Sequence, residues 1–225
     1  FCAGMDLSAF SNGVDDIPDD KKPDHARVGE VLYRTAKELQ GYISKLEEIR
    51  VPVIAAVHGG VIGGALDLIT ACDMRFASND AFFCIQEINI GMAADVGTLQ
   101  RLPKIIPDSK MREMAYTGRR MLADEAKDSG LVGEIYETQD EMLDAVHKLA
   151  AEIASKSPVA IYGLKAVMNY SRDHNVSDSL DFNALWSGAM LSQADMTEAM
   201  TAQMEKRDAN FDKMIDVKKF NESKS

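Results

Sequence analysis

Three acidic residues, Asp67, Glu87 and Asp95, lie in a mostly apolar part of the chain between residues 51 and 95. A carboxylate among apolar side chains is costly unless it is paired, solvated or protonated, and shifted pKa values are expected at such sites. Positioned carboxyl groups transfer protons in many enzymes. The three acids together indicate a proton-transfer site. Taken singly, Asp95 could cap a helix that begins at Val96, and Asp67 could be a surface helix residue.

A glycine-rich corner precedes the first acid. Residues 51–57 form an apolar, β-branched run typical of a strand covered on both faces. Gly59 and Gly60 end this run, and Gly63 and Gly64 open an apolar helix predicted over residues 65–72. Amide hydrogens at such a helix start point outward and favour an oxyanion, and glycine lets a ligand approach the backbone. The alternative is a tight turn that needs glycine for its own geometry.

The composition excludes several classes of function. The chain has 225 residues and a net charge of −11, which argues against binding to nucleic acid or to an anionic membrane surface. No apolar run approaches membrane-spanning length. Cys2, Cys72 and Cys84 show no metal-ligand spacing, so we expect reduced, mostly buried thiols. The four histidines are scattered, and no metal site is predicted.

Four segments together resemble the enoyl-CoA hydratase/isomerase (crotonase) superfamily, and within it most closely the dienoyl-CoA isomerases, which convert a 3,5-diene into a 2,4-diene. The segments are FCAGMDL at 1–7, PVIAAVHGGVIGGALDLITACDMR at 52–75, FFCIQEINIGMAADVGTLQRLPK at 82–104 and the weaker ADEAKDSGLVGEI at 123–135. Their combination is far more specific than any single glycine motif.

The resemblance implies an oxyanion hole made by the amide hydrogens of Met5 and Gly64, which would hold a thioester oxygen as an enolate forms. Family members that only hydrate a double bond have Glu at the position of Asp67 and Gly at the position of Asp95. This chain departs from them at both positions and agrees with the dienoyl-CoA isomerases. The implied roles are Glu87 as the base at carbon 2, Asp95 as the acid at carbon 6 and Asp67 as an orienting group.

The implied activity is isomerisation of 3,5-dienoyl-CoA to 2,4-dienoyl-CoA in fatty acid β-oxidation, with acyl-CoA as the substrate and no cofactor. Enoyl-CoA hydration, or the shift of a single double bond, is the alternative. A non-catalytic or RNA-binding role is more remote, because this acidic chain lacks the lysine-rich helix of the RNA-binding member. The family also implies a mitochondrial or peroxisomal location, which the sequence does not decide.

Strands interleaved with helices predict an α/β fold, and the resemblance implies a spiral of strand-strand-helix units. We expect this spiral over residues 1–156 and a helical oligomerisation region over residues 157–225. In the resembled family further elements precede FCAG, so we expect the N-terminal part of the fold to be missing. Residues 11–26 are polar and predict a loop, and the apolar spacing from residue 26 to 49 predicts a helix packed on the core.

The C-terminal third is helical in pattern from Pro158 to about Asp212. Its methionines indicate core or subunit packing, because methionine fills irregular interfaces; they are Met190, Met196, Met200 and Met204. The resemblance implies a homotrimer or hexamer built through this region. It also makes Lys206 a candidate contact for a coenzyme A phosphate, with a solvated basic helix end as the alternative.

Overall fold

The computed structural model describes residues 1–4, 6 and 24–216, which form two compact units. The first unit comprises residues 1–48 and 53–144, and the second comprises residues 49–52 together with the described residues from 145 to 216. The loop predicted over residues 11–26 lies almost entirely outside the described residues.

The first unit alternates short strands with helices. In chain order its elements are α1 (His25–Glu48), β1 (Ile54–Val57), β2 (Gly60–Ile62), α2 (Gly64–Thr70), β3 (Met74–Ser78), β4 (Phe82–Cys84), a 3₁₀ turn (Glu87–Ile90), α3 (Thr98–Arg101), a second 3₁₀ turn (Leu102–Lys104), α4 (Asp108–Thr117), β5 (Met121–Leu122), α5 (Ala123–Asp128) and β6 (Glu134–Tyr136).

The strands form two three-stranded sheets. One has the order β1-β3-β6 with both pairs parallel, and the other has the order β2-β4-β5 with β2 and β4 parallel and β4 and β5 antiparallel. Consecutive strands β1 and β2 therefore enter different sheets before α2 follows, and β3 and β4 repeat this division. This arrangement confirms the α/β fold with strand-strand-helix units.

The sheets and helices enclose one hydrophobic core. Its largest fully buried side chains include Phe83, Leu66, Ile69, Leu102 and Met114. Parallel strands are covered on both faces, which explains why β1 and β2 read as nearly continuous apolar runs. The core thereby fixes the strand ends that carry the glycine corner.

The first strand begins later than the sequence predicted, at Ile54 rather than Val51. Pro52 has no amide hydrogen to donate to a ladder, and the amide of Val53 donates to Asp73 Oδ2 at 2.7 Å instead. The expectation for the strand interior is confirmed, because Ala55 and Val57 are buried.

Helix α1 forms as predicted, but the expected core packing of its first half is wrong. Val31 and Leu32 are 60% and 64% exposed in the chain, and no residue of α1 is fully buried. Only the C-terminal half of the helix meets the core, where Leu46 packs against buried residues. Apolar periodicity predicts a helix without specifying what covers its apolar face.

The second unit is helical. Helix α6 (Gln139–Ala154) ends in it, and α7 (Pro158–Asp173), α8 (Val176–Met190) and α9 (Gln193–Glu205) follow, so the last helix ends earlier than predicted. Helices α7 and α8 pack closely at Gly163, where an added Cβ would lie 2.5 Å from the indole nitrogen of Trp186. Side-chain oxygens of Ser157, Asn175 and Ser192 cap α7, α8 and α9.

Candidate active site

The N-terminal segment FCAG lies beside the glycine corner. Cys2 pairs with β2 in parallel: its amide donates to the Gly60 carbonyl at 2.9 Å, and the Ile62 amide donates to the Cys2 carbonyl at 3.2 Å. Gly4, with φ +94°, follows so closely that an added Cβ would lie 3.3 Å from the Ile62 carbonyl oxygen. Two segments that are 60 residues apart in the chain are thus neighbours at the end of β2.

The corner itself is built on Gly63, which adopts φ 56° and ψ −123°, a conformation that favours glycine. Its amide donates to the Cys84 carbonyl at 3.0 Å, and its carbonyl accepts from the amide of Leu66 at 2.7 Å. The backbone therefore turns from β2 directly into α2.

Gly64 is the first residue of α2, and it is exposed with open space beside its α-carbon. Among the described residues nothing accepts a hydrogen bond from its amide, as is usual in the first turn of a helix. The other predicted oxyanion donor, Met5, lies outside the described residues. The pairing of these two amides therefore stays a prediction.

Asp67 lies in the core, so the alternative of a surface helix residue is wrong. Its side chain, on α2, is 1% exposed, and Oδ1 accepts from the amide of Thr98 at 2.5 Å. Oδ2 has no hydrogen bond among the described residues. Burial raises the pKa of Asp67, and repulsion from Asp95 adds to this effect; contacts with Thr98 and attraction to Arg101 oppose it. Burial therefore disfavours the charged form of this carboxyl.

Glu87 opens the 3₁₀ turn that follows β4, and it is half-buried. Its Oε1 faces the glycine corner, where a Cβ added to Gly63 would lie 3.2 Å from this oxygen. Burial raises the pKa of Glu87, and the negative charges of Asp67 and Asp95 raise it further. The predicted base therefore lies against the same corner that presents the Gly64 amide.

Asp95 differs from the other two acids. It is exposed, so the expected apolar setting is wrong for this residue, and Gly97 rather than Asp95 occupies the N-cap position of α3. The Asp95 carbonyl accepts from Gln40 Nε2 at 2.7 Å, which ties its loop to α1. Its charge is nevertheless close enough to raise the pKa of both other carboxyls. The structure thus groups all three acids by electrostatic contact.

Several residues that support the site were not predicted. The Thr98 amide holds Asp67, and Arg101 donates to Glu47 at 2.7 Å and to Ser44 at 2.9 Å, which fastens α3 to α1. The guanidinium of Arg101 also fills the space beside Gly97. The hydrogen bonds to Asp67, Glu47 and Ser44 join residues more than 30 positions apart, and no local pattern in the sequence marks them.

An apolar cavity of about 300 Å³ borders the segment between Glu87 and Asp95. It is lined by Ile85, Ile88, Met92, Ala93, Ala94 and Leu99 on one side and by Met111, Arg112, Ala115 and Tyr116 of α4 on the other. Its lining suits a hydrocarbon group.

Lys206, the weak candidate for a phosphate contact, ends α9 in the second unit. It is exposed and adopts a left-handed conformation with φ 54°. The three acidic site residues, Asp67, Glu87 and Asp95, belong to the first unit instead.

Residues 1–4, 6 and 24–216 contain no group of three or more potential metal-binding side chains. None of the helices found there combines the length and apolarity required to cross a bilayer.

Comparisons with known proteins show which family the chain resembles. The sequence profile of the family described as Enoyl-CoA hydratase/isomerase matches residues 1–214. The mitochondrial Delta(3,5)-Delta(2,4)-dienoyl-CoA isomerase of Rattus norvegicus is 47% identical over 210 residues, which cover 93% of this chain and 63% of that protein. The peroxisomal Delta(3,5)-Delta(2,4)-dienoyl-CoA isomerase of Arabidopsis thaliana is 44% identical over 214 residues, covering 95% of this chain and 76% of that protein.

Solved structures of enoyl-CoA hydratases have the same fold as this chain. The crystal structure of an enoyl-CoA hydratase from Bacillus anthracis superposes with a TM-score of 0.80 at 27% identity, covering 94% of this chain and 76% of that chain. The chain spans 63% of the length of its mammalian relatives from rat, mouse and human. Given the profile match over nearly its whole length, the chain belongs to the enoyl-CoA hydratase/isomerase family.

Proposed function

We propose that this protein isomerises 3,5-dienoyl-CoA to 2,4-dienoyl-CoA in fatty acid β-oxidation. The observation that carries the proposal is the placement of the Glu87 carboxylate against Gly63 of the glycine corner, with Asp67 buried on the helix that follows and the charge of Asp95 close enough to raise the pKa of both. Relatives at 44% and 47% identity that are named dienoyl-CoA isomerases support it.

The reaction begins with proton removal at carbon 2. The thioester oxygen accepts hydrogen bonds from the amides of Gly64 and Met5, which stabilise the negative charge as the bond from carbon 2 to hydrogen breaks. The ionised carboxylate of Glu87 takes that proton. Burial raises its pKa, which strengthens it as a base.

The reaction ends with proton delivery at carbon 6. The electron pair released at carbon 2 moves along the dienolate as both double bonds shift, and the protonated carboxyl of Asp95 gives its proton to carbon 6. Asp67, held by the Thr98 amide, orients the reacting group and contributes to the division of protons among the three acids. The proton count balances over the cycle once Glu87 returns its proton to Asp95 through the site or solvent.

No cofactor is required by this chemistry, because isomerisation involves no net oxidation or reduction. We propose acyl-CoA as the substrate, with the apolar cavity beside residues 88–94 accommodating hydrocarbon. Lys206 is a candidate contact for a coenzyme phosphate. A mitochondrial or peroxisomal location is proposed from the names of the relatives.

A homotrimer or hexamer is proposed through the second unit. Large apolar side chains are exposed along its helices, including Leu164 on α7 at 59%, Leu185 on α8 at 73% and Met200 on α9 at 59%. Exposed apolar surface of this extent is typical of subunit interfaces. Sedimentation of the purified protein tests this proposal, and a monomer at micromolar concentration would contradict it.

Incubation of the protein with a 3,5-dienoyl-CoA, monitored by ultraviolet absorbance, tests the proposed activity. We expect the absorbance of the conjugated 2,4-dienoyl thioester to rise. The Glu87→Gln variant provides the control for enzyme-dependent conversion. Failure to form this product, together with hydration of a 2-enoyl-CoA, would replace the proposal with a hydratase activity, as carried by a crotonyl-CoA hydratase that is 35% identical over 166 residues.

A further inference from the structure

Side-chain hydrogen bonds fasten both sides of the 3₁₀ turn that carries Glu87. Asn89 Nδ2 donates to Gln86 Oε1 at 3.1 Å and to the Gly118 carbonyl at 3.0 Å. Asn89 therefore bridges the residue before Glu87 to the end of α4, 29 positions further along the chain. We call Cys84, Gln86, Asn89 and Gly118 the Asn89 cluster.

Cys84 contributes a second set of contacts to the Asn89 cluster. Its buried Sγ lies within hydrogen-bond distance of two acceptors, Gln86 Oε1 at 3.3 Å and the Gly118 carbonyl at 3.2 Å, to either of which its single hydrogen can be donated. Burial and the nearby charge of Glu87 raise the pKa of this thiol, so it keeps the hydrogen that it donates. The same two acceptors are thus reached by Asn89 and Cys84.

Gly118 fits the Asn89 cluster because it has no side chain. It caps α4 in the left-handed region with φ 61°, and an added Cβ would lie 2.3 to 2.6 Å from the carboxamide atoms of Asn89. The carboxamide therefore occupies the place where any other residue would carry its Cβ.

The backbone of the turn transmits this restraint to Glu87. The Asn89 amide donates to the Gln86 carbonyl at 3.0 Å, and the Met92 amide donates to the Glu87 carbonyl at 2.9 Å. On the other side of Glu87, its Oε1 lies against Gly63. Glu87 is thus held between the glycine corner and the Asn89 cluster, although Asn89 does not touch its carboxylate.

We propose that Asn89 is a positioning residue for Glu87, and that it sets the distance between the Glu87 carboxylate and the glycine corner by joining the 3₁₀ turn to Gly118. The inference rests on the proposed isomerase function for its kinetic consequence. Its structural content, a restraint on Glu87, is independent of the reaction. Asn89 is a residue that neither the acidic motif nor the glycine motif marks.

The test is the Asn89→Leu variant, which keeps the side-chain size and removes both hydrogen bonds. We expect kcat for dienoyl-CoA isomerisation to fall on the order of 10- to 100-fold, because small displacements of a reacting group have effects of this size. KM should change by less than about twofold, since no group that contacts substrate is removed. An unchanged kcat would overturn the proposal.

The titration of Glu87 in the ligand-free protein provides a second readout. With Asn89→Leu the turn loosens and Glu87 gains solvent, so its pKa, followed by carbon-13 NMR of the labelled carboxyl, should fall toward the ordinary value. The groups that face Glu87, namely Asp67, Asp95 and the Cys84 thiol, are unchanged in the variant. If the wild-type protein lacks isomerase activity but this shift occurs, the proposed function fails and the positioning role stands.

A matched control separates positioning from stability. Asn175 also makes two side-chain hydrogen bonds, at 3.0 Å and 2.8 Å to Asp178, but it caps α8 in the second unit. Asn175→Leu should lower the melting temperature without altering the Glu87 titration. Equal shifts of the Glu87 pKa in both variants would overturn the proposal.

A double-mutant cycle with Gly118→Ala completes the test. Alone, this substitution should displace Asn89 and reproduce the loss of kcat. In an Asn89→Ala background, where the shorter side chain leaves that space open, it should reduce kcat by less than about threefold more, because both substitutions remove the same contact. Fully multiplicative losses would show that the two residues act separately and would overturn the proposal.

Discussion

The first turn of α2 and the loop from residue 91 to residue 97 present acidic side chains in opposite environments. Asp67 is enclosed by the core and hydrogen-bonded to a backbone amide, whereas Asp95 is exposed and tied to the fold through its own carbonyl. Glu87 lies between these extremes, half-buried and beside the glycine corner. Burial disfavours the charged form of the enclosed acid, whereas the loop acid is positioned by a hydrogen bond to its backbone carbonyl.

The largest effect should come from Glu87, whose exposure lies between those of Asp67 and Asp95. Glu87→Gln removes the proposed base, so kcat should fall on the order of 10³- to 10⁴-fold, the upper part of the range for general acid-base groups. Stopped-flow absorbance with a 3,5-dienoyl-CoA measures this loss. Thermal stability should stay equal or rise, because a partly buried charge is removed. A decrease of less than tenfold would assign the base elsewhere.

Replacing the exposed acid should affect chemistry and leave the fold intact. Asp95→Ala should lower kcat on the order of 10²- to 10³-fold while changing the free energy of unfolding by less than about 0.5 kcal/mol, as is usual for surface positions. Asp128→Ala, at another exposed aspartate of the same unit, is the matched control and should retain full activity. Full activity of Asp95→Ala would remove this residue from the mechanism.

Replacing the buried acid should affect the pH dependence of stability. Because the pKa of Asp67 is raised in the folded protein above its ordinary value of 3.8, the stability due to its protonated form is complete below that pH. This stability is lost as the pH rises through the raised pKa. Asp67→Asn keeps an acceptor for the Thr98 amide and cannot ionise, so it should be more stable than wild type at pH 7 by about 1 kcal/mol or more.

Chemical denaturation between pH 4 and pH 8 measures the effect of Asp67→Asn. The advantage of the variant should grow with pH across this range. Glu87 contributes with the same sign because its pKa is also raised, and it is present in both proteins. An advantage that is constant with pH would show that Asp67 does not titrate in this range.

The smallest effect should come from the tie on the Asp95 loop. Gln40→Leu removes the donor to the Asp95 carbonyl, which should cost about 0.5 to 1.5 kcal/mol of stability, the net value of one such hydrogen bond. The gain in loop freedom should reduce kcat by a few-fold. Gln203→Leu, at an exposed glutamine of α9, is the control and should change neither quantity. Equal melting temperatures and rates in all three proteins would show that the tie is unimportant.

The sequence predicted most of the elements that carry the site. Glycines and β-branched runs are local signals, and they placed β1 and the start of α2 to within a few residues. The acids were identified by type and by the resemblance. Their environments were not, because burial depends on distant segments: Thr98 reaches Asp67 across 31 positions, and nothing near Asp95 in the sequence distinguishes an exposed loop from an apolar one.

Other features could not be predicted for the same physical reason. The apolar spacing of α1 specified a helix, but Val31 and Leu32 are exposed in the chain because periodicity does not identify what packs on a face. The Asn89 cluster depends on Gly118, which looks in the sequence like an ordinary helix end. Long-range contacts of single side chains produce no periodic pattern in the sequence.

The hydrogen bond from the Thr98 amide to Asp67 has a consequence for how this protein can change over evolutionary time. The same carboxyl oxygen completes the opening turn of α3 and belongs to the residue that is proposed to orient the reacting group, so one mutation there is expected to alter folding and chemistry together. A lineage that acquired a different reaction by exchanging this residue would also need a new way to begin that helix. The Asp95 side chain is exposed and does not cap a helix, so the residue type at this position can change while the fold is kept.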